Sequence, residues 1–218
     1  EIHEHGSIRE VRMARPPVNA LNTDLCRALI AALNTAMNEG ARGIVLSGSE
    51  RVFSAGLDVP HLLSHGEDRH AVLDSWQAFF GMARSLDPAR PFAIGLNETQ
   101  VGLVAPEGIQ QLLRRVVGIH RAERLLVSGE LVPAERALEI GLVDELVAPS
   151  DVVPRAITWL EGLLKLPHQP MSMTRAIARA DLVAALHGDN IQLDRFIDGW
   201  YSADAQQALQ ALVAKLGK

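Results

Sequence analysis

The sequence predicts an α/β protein on three observations: a strand–helix–strand opening, a small-residue loop directly after it, and a tail in which only helical patterns recur. Ile8, Val11 and Met13 mark a first strand of imperfect alternation, which Pro16 and Pro17 end because proline offers no backbone donor. Asn22 or Thr23 then caps a helix whose apolar positions Leu25, Leu29, Ala32, Leu33 and Ala36 keep a three-to-four spacing up to Gly40. Gly43 to Ser47 is a short apolar run, as expected of a strand covered on both faces. The loop Val52 to Asp58 follows, and then a helical stretch from about Pro60 to Leu86, broken near Gly66.

Phe92 to Leu103 reads as strand or loop. Gln110 to Val117, Arg121 to Ser128 and Pro133 to Ile140 read as helices separated by Gly118, Gly129 and Gly141. Leu142 to Val147 reads as one more strand, and four helical patterns complete the chain: Val152 to Leu166, Ser172 to Leu186, Ile191 to Trp200 and Asp204 to Lys218. The expected division is a core over residues 1–148 and a helical region over residues 149–218.

A length of 218 residues suffices for one good core, and 48% hydrophobic residues is ordinary for an enzyme. The net charge of -5 disfavours nucleic acid or an anionic membrane as main partner, since both select a basic face. No apolar run approaches the roughly 18 to 20 residues of a membrane span, and the polar start is unlike a signal peptide. Cys26 is the single cysteine, so no internal disulfide forms, and a reducing, cytoplasmic setting is expected.

Three separated segments carry a resemblance: Arg15-Pro16-Pro17-Val18-Asn19-Ala20-Leu21-Asn22, Phe53-Ser54-Ala55-Gly56-Leu57-Asp58, and Ala134 through Val147. In order and spacing they resemble the crotonase (enoyl-CoA hydratase/isomerase) superfamily. Within it, Ile94 to Pro106, with Asn97-Glu98-Thr99-Gln100 at its centre, is most similar to the Δ3,Δ2-enoyl-CoA isomerases. The resemblance implies a spiral of ββα units, a helical C-terminal region that trimerises, and an acyl-CoA thioester as substrate. It implies a homotrimer or dimer of trimers, and no cofactor, because coenzyme A is part of the substrate.

Moving a double bond from C3 to C2 of a thioester takes a proton from C2 and returns one to C4, and one carboxylate can do both. The dienolate formed between these steps carries its charge on the thioester oxygen, so backbone N–H donors must wait there. Small residues let the backbone approach a ligand closely. By resemblance Leu57 supplies the first such N–H, while Ser54, Ala55, Gly56 and Asp58 line the path of the CoA moiety and Val18 and Ala20 flank it. The bland alternative is a tight turn between strand and helix. By resemblance Glu98 is the base, in a segment with no other acid from Phe92 to Pro106, where apolar surroundings would raise its pKa. Asn97 beside it is expected to orient the loop or the carboxylate. The bland alternative for Glu98 is a solvated loop residue.

Asp58, His61 and His65 could in principle present three metal-type ligands. Pro60 between them and Gly66 after them, with no companion cluster, argue for ordinary helix histidines and no metal. Arg114-Arg115 could meet a CoA phosphate, though a solvated face explains it as well. Trp76, Phe79 and Phe80 have the spacing of core or subunit contacts.

One departure from the family stands between Pro91 and Phe92, where about one βαβ unit, on the order of 30 residues, is missing. That unit would hold the second oxyanion donor and, in hydratases, the first of two catalytic glutamates. Losing it should cripple both fold and catalysis. The expectation is therefore that the molecule contains it, with a Cα step well beyond about 3.8 Å between Ala89 and Ala93. The favoured function is a 3-enoyl-CoA to 2-enoyl-CoA isomerase. An enoyl-CoA hydratase is the close alternative, and a non-catalytic acyl-CoA binder the alternative if the chain is continuous at Pro91.

Overall fold

The computed structural model describes residues 1–49, 52–85, 95–187 and 192–216. Two compact units emerge, Glu1–Leu86 with Val147–Ala178 and Asp87–Leu146 with Arg179–Lys218. The division expected at residue 148 follows secondary-structure content, whereas these units follow contacts, so the helical tail contributes to both.

In the first unit, β1 (Ile2–His5) and β2 (Ile8–Arg12) pair antiparallel around a tight turn, and β3 (Gly43–Ser47) pairs parallel with β2, giving the order β1-β2-β3. Helix α1 (Thr23–Asn38) makes the crossover, with the Leu25 N–H donating to Asn22 Oδ1 at 2.9 Å as its cap. The imperfect alternation of the second strand now has a cause, because the sheet is covered on both faces. Val11 and Met13 meet Cys26, Leu29 and Leu33 of α1, while Ile8 and Val45 on the other face meet Ala156 and Leu160. These last belong to α7 (Val152–Leu164), which comes so close that a Cβ at Gly43 would stand 3.3 Å from Leu160 Cδ1. Buried Glu10 on that face is matched by Ser47, whose hydroxyl donates to it at 2.5 Å.

Helices α2 (Val59–Ser64) and α3 (Arg69–Ser85) break near Gly66 as the sequence predicts. Trp76 and Phe79 pack edge to face at 5.8 Å, Trp76 is buried, and Thr23 of α1 meets Ser75 of α3 through hydroxyls 2.8 Å apart. Cys26 lies in this core, and burial pushes its thiol pKa up to about 11. After α7, helix α8 (His168–Ala178) completes the unit.

The second unit is helical among its described residues. Helices α4 (Glu107–Val117), α5 (Ile119–Ser128) and α6 (Ala134–Glu139) enclose Leu113, Val117, Ala122, Leu126, Ala137 and Ile140. The strand expected over Leu142 to Val147 does not form. Leu142 turns inward to join this cluster, both the Leu142 and Val143 N–H groups donate to the Ala137 carbonyl, and Leu146 and Val147 are left exposed. Its apolar character is thus used against helices rather than in a sheet.

The helix expected from Ser172 to Leu186 is interrupted at Arg179, which leaves helical geometry between α8 and α9 (Ala180–Ala185). Helices α10 (Leu193–Trp200) and α11 (Ala203–Leu216) bury Phe196, Ile197, Trp200 and Leu209, as the tail's apolar pattern predicts. Trp159 of α7 is 44% exposed in the isolated chain. The Pro91–Phe92 junction, and with it the expected Cα step between Ala89 and Ala93, lies outside the described residues.

Candidate active site

The loop Phe53 to Asp58 lies beside the segment Arg15 to Asn22 and is stitched to it almost atom by atom. The Ala55 N–H donates to the Val18 carbonyl at 2.9 Å, the Leu21 N–H to the Gly56 carbonyl at 2.7 Å, and the Asp58 N–H to the Leu21 carbonyl at 3.0 Å. Ser54 Oγ donates to the Asn19 carbonyl at 2.8 Å and receives the Gly56 N–H at 3.1 Å. Gly56 holds a φ of +81°, the left-handed region that glycine enters without strain.

Leu21 and Leu57 form an isolated parallel bridge. In such a bridge one residue bonds to the two neighbours of the other, so the bracketed residue aims its own N–H away from the partner segment. Leu57 is the bracketed residue, and its N–H donates to nothing among the described residues. Ala55, Gly56 and Asp58 all spend theirs. The loop therefore leaves the Leu57 N–H unused, flanked by exposed Ala55 and Gly56 and near a segment in which Val18 is exposed and Ala20 half-buried.

The carboxylate of Asp58 is committed inside the protein. One oxygen accepts the His61 N–H at 3.1 Å, capping α2, and the other lies 2.6 Å from Arg15 Nη2. His61 and His65 stack edge-on at 4.9 Å, and His65 Nε2 lies 3.2 Å from Ser75 Oγ. Among the described residues no group of three or more histidine, cysteine, aspartate or glutamate side chains is arranged to hold a metal ion.

Sequence reasoning missed two residues here. Asn19 is 3% exposed at a φ of +52°; its Oδ1 accepts the Arg15 N–H at 2.8 Å, and its Nδ2 donates to the Phe53 carbonyl at 3.0 Å and the Met13 carbonyl at 3.3 Å. Arg15, quoted only as part of a motif, places Nη1 on the Ala20 carbonyl at 2.7 Å besides its contact with Asp58. An asparagine in a proline-bounded loop, able to adopt positive φ, is the one signal that pointed there.

In the second unit Glu98 opens a 3₁₀ turn, Glu98–Val101, between Asn97 and Gly102. Thr99 Oγ1 donates to the Leu126 carbonyl at 2.7 Å, fastening the turn to α5. Gly102, at a φ of +77°, lies against α11, where an added Cβ would stand 2.8 Å from Ala205 Cα. Held between these helices, Glu98 has its Oε2 shut off from solvent with no hydrogen-bond partner among the described residues. Burial raises its carboxyl pKa, and its own backbone N–H opposes that shift. Asn97 is exposed, its carbonyl accepts the Gln100 N–H at 3.0 Å, and its side chain caps nothing. The two parts of the expected site thus belong to different units, Val18, Ala20 and Ser54 to Asp58 in the first, Asn97 and Glu98 in the second.

The first unit thus carries a loop with a spare backbone donor at Leu57, and the second a carboxyl kept from ionising easily. The enoyl-CoA hydratase/isomerase family model matches residues 3–84 and 85–216, and the chain belongs to that family, within the crotonase superfamily. It is similar to the human mitochondrial enoyl-CoA delta isomerase 1, at 26% identity over 243 residues covering 97% of this chain and 80% of the relative. A probable enoyl-CoA hydratase of Mycobacterium avium is 30% identical over 208 residues, covering 79% of this chain and 81% of the relative.

The fold agrees. The crystal structure of human mitochondrial delta3-delta2-enoyl-CoA isomerase superposes with a TM-score of 0.91 at 24% identity, covering 100% of this chain and 97% of that one. An enoyl-CoA hydratase from Bacillus halodurans gives 0.81 at 18% identity, covering 97% of this chain and 98% of that one. The match to the human relative runs over 243 residues although 97% of 218 residues is only about 211, so about 30 of its positions face no residue of this chain. That deficit has the size of the βαβ unit expected beside Pro91, and the two stretches of the family match meet nearby, at residues 84 and 85.

Proposed function

We propose that this member of the enoyl-CoA hydratase/isomerase family is a 3-enoyl-CoA to 2-enoyl-CoA isomerase in which Glu98 carries the proton. The observation that supports this most is the buried Oε2 of Glu98, which has no partner among the described residues, together with the raised pKa of that carboxyl. A carboxylate oxygen without a partner among the described residues is free to serve a substrate, and a raised pKa lets the same group take and return a proton.

In this reading the Glu98 carboxylate removes a proton from C2, and the C–H electron pair becomes the C1–C2 double bond of a dienolate. Its negative charge rests on the thioester oxygen, for which we assign the Leu57 N–H as donor. The charge then flows back, C2–C3 becomes the double bond, and protonated Glu98 delivers its proton to C4. Proton and electrons balance without any cofactor. Hydration would instead ask for two carboxylates to position and split a water.

We also place the protein in a cytoplasmic setting as a homotrimer or dimer of trimers, supported by its single buried cysteine and by exposed Trp159, Met173 and Ile177 on α7 and α8. Among the described residues no helix is long and apolar enough to cross a membrane. Assaying the purified protein on 3-hexenoyl-CoA and crotonyl-CoA side by side tests the reading. Conversion of the first without hydration of the second is expected. Hydration of crotonyl-CoA at the higher rate overturns the isomerase assignment, and inactivity on both leaves an acyl-CoA binder.

A further inference from the structure

We propose that Arg15 is a positioning residue for the Leu57 N–H, gripping with one guanidinium both backbone segments that aim it. This rests on the reading of Leu57 as the enolate donor.

The Leu57 N–H is free because Leu21 holds the residues on either side of it, Gly56 by its carbonyl and Asp58 by its N–H. The direction of the spare donor therefore depends on how Leu21 and Asp58 are placed relative to each other. Arg15 touches both. Its Nη1 donates at 2.7 Å to the Ala20 carbonyl, which belongs to the same peptide plane as the Leu21 N–H. Its Nη2 donates at 2.6 Å to Asp58 Oδ2, on the residue whose N–H closes the other side of the bridge.

A planar, rigid fork spans two acceptors at fixed separation, whereas an ammonium is a point charge on a flexible stem. Arg15 is itself seated by Asn19, whose side chain accepts the Arg15 N–H while its own N–H returns to the Arg15 carbonyl, each at 2.8 Å. The Asp58 side chain is only 13% exposed, so the acceptor side of the pair is largely shielded, while the Arg15 side chain is 37% exposed. No ligand is needed to explain these contacts, and the two made by the guanidinium act on the bridge that brackets Leu57.

Small errors in the aim of a catalytic donor are expensive: displacement by about 1 Å can lower turnover about 100-fold. Arg15→Lys is expected to lower kcat about 10- to 100-fold while changing KM less than about threefold, because the donor meets charge that develops after binding. The acid limb of the pH–rate profile, set by Glu98, should not move. Arg15→Met and Asp58→Asn should each show the same split, and their double variant should be little worse than the poorer single one, since both break one contact.

The deciding readout is the infrared stretch of a 13C-labelled thioester carbonyl in bound 2-hexenoyl-CoA. In the wild type a donor at the oxygen should shift it to lower frequency than in the free ligand. In Arg15→Lys and Asp58→Asn it should move back toward the free value. An unshifted carbonyl in the wild type removes Leu57 as donor, and the role of Arg15 with it. A shifted wild type with an unchanged stretch and kcat in Arg15→Lys overturns the positioning role while leaving Leu57 in place. Should Arg15→Lys fail to fold by circular dichroism, Asp58→Asn decides alone, because asparagine keeps the α2 cap and loses the ion pair.

Discussion

The loop around Leu57 and the turn around Glu98 solve opposite problems with opposite means. In the proposed reading the loop offers a backbone group, so it commits the Ala55, Gly56 and Asp58 N–H groups and the Ser54 side chain to fixing one amide, and the identity of residue 57 matters little. In the same reading the turn offers a side chain, and it leaves Glu98 Oε2 buried without a partner among the described residues while the turn itself is seated against α5 and α11. Order is supplied by hydrogen bonds in the first case and by burial in the second. The difference teaches that a donor is recognised by what surrounds it, and an acid-base group by what fails to surround it.

The largest expected effect is at the turn. Glu98→Gln should lower turnover at least about 100-fold, the usual scale for a lost acid-base group, while acyl-CoA binding measured by calorimetry stays near the wild-type value. Wild-type turnover in the variant would remove the turn from the comparison altogether. The same residue gives the pH dependence. Its folded pKa is raised, so the stability linked to its protonated form is present below the unfolded pKa and lost as pH rises through the folded one. Glu98→Gln should therefore gain stability relative to wild type as pH rises across that window. Wild-type turnover should rise through the same window, with its acid limb above the ordinary glutamate range.

Next come the scaffolds of each region. Gly102→Val puts a β-branched residue at a φ of +77° with its Cβ against the Ala205 backbone, and should cost about 2 to 4 kcal/mol in denaturant midpoint analysis. Asn19→Ala strips the loop of its buried tie to Arg15 and Phe53 and should cost about 1 to 3 kcal/mol. If the two regions are as different as described, Gly102→Val should depress kcat through Glu98 and change the acid limb, whereas Asn19→Ala should depress kcat and leave the limb alone.

The smallest effect serves as the control. Arg27 and Asp74 form an exposed pair at 2.6 Å joining α1 and α3, and Arg27→Ala should shift stability by less than about 1 kcal/mol with no change in kcat.

Much of this was legible in the chain. The positions of α1, α3 and the helices α4 to α6 follow from apolar spacing and from the glycines between them, whereas the capping role of Asp58 was not read. What could not be read is what depends on distant partners. Arg15 reaches across 43 positions to Asp58, and nothing local distinguishes it from any loop arginine. Strand β1 is polar because it is exposed at the edge of its sheet, so it gave no apolar alternation to detect. Leu142 to Val147 misled in the other direction, since Leu142 and Val143 were drawn to a helix cluster while Leu146 and Val147 stayed exposed. The seating of the turn that carries Glu98 is likewise tertiary, made by α5 and α11.

Cys26 sits in the core beside Val11 and Leu29 with a thiol whose pKa is pushed up to about 11. Thiolate is the form that attacks a thioester carbonyl, and at neutral pH almost none of this group is ionised. An exposed, ionised cysteine on a protein that handles acyl thioesters would be open to transthioesterification, ending as a dead-end acyl adduct with release of the free carrier thiol. Enclosed as it is, Cys26 leaves the acyl group on its carrier, and a thiol-specific reagent should label this protein only as fast as the core around α1 opens.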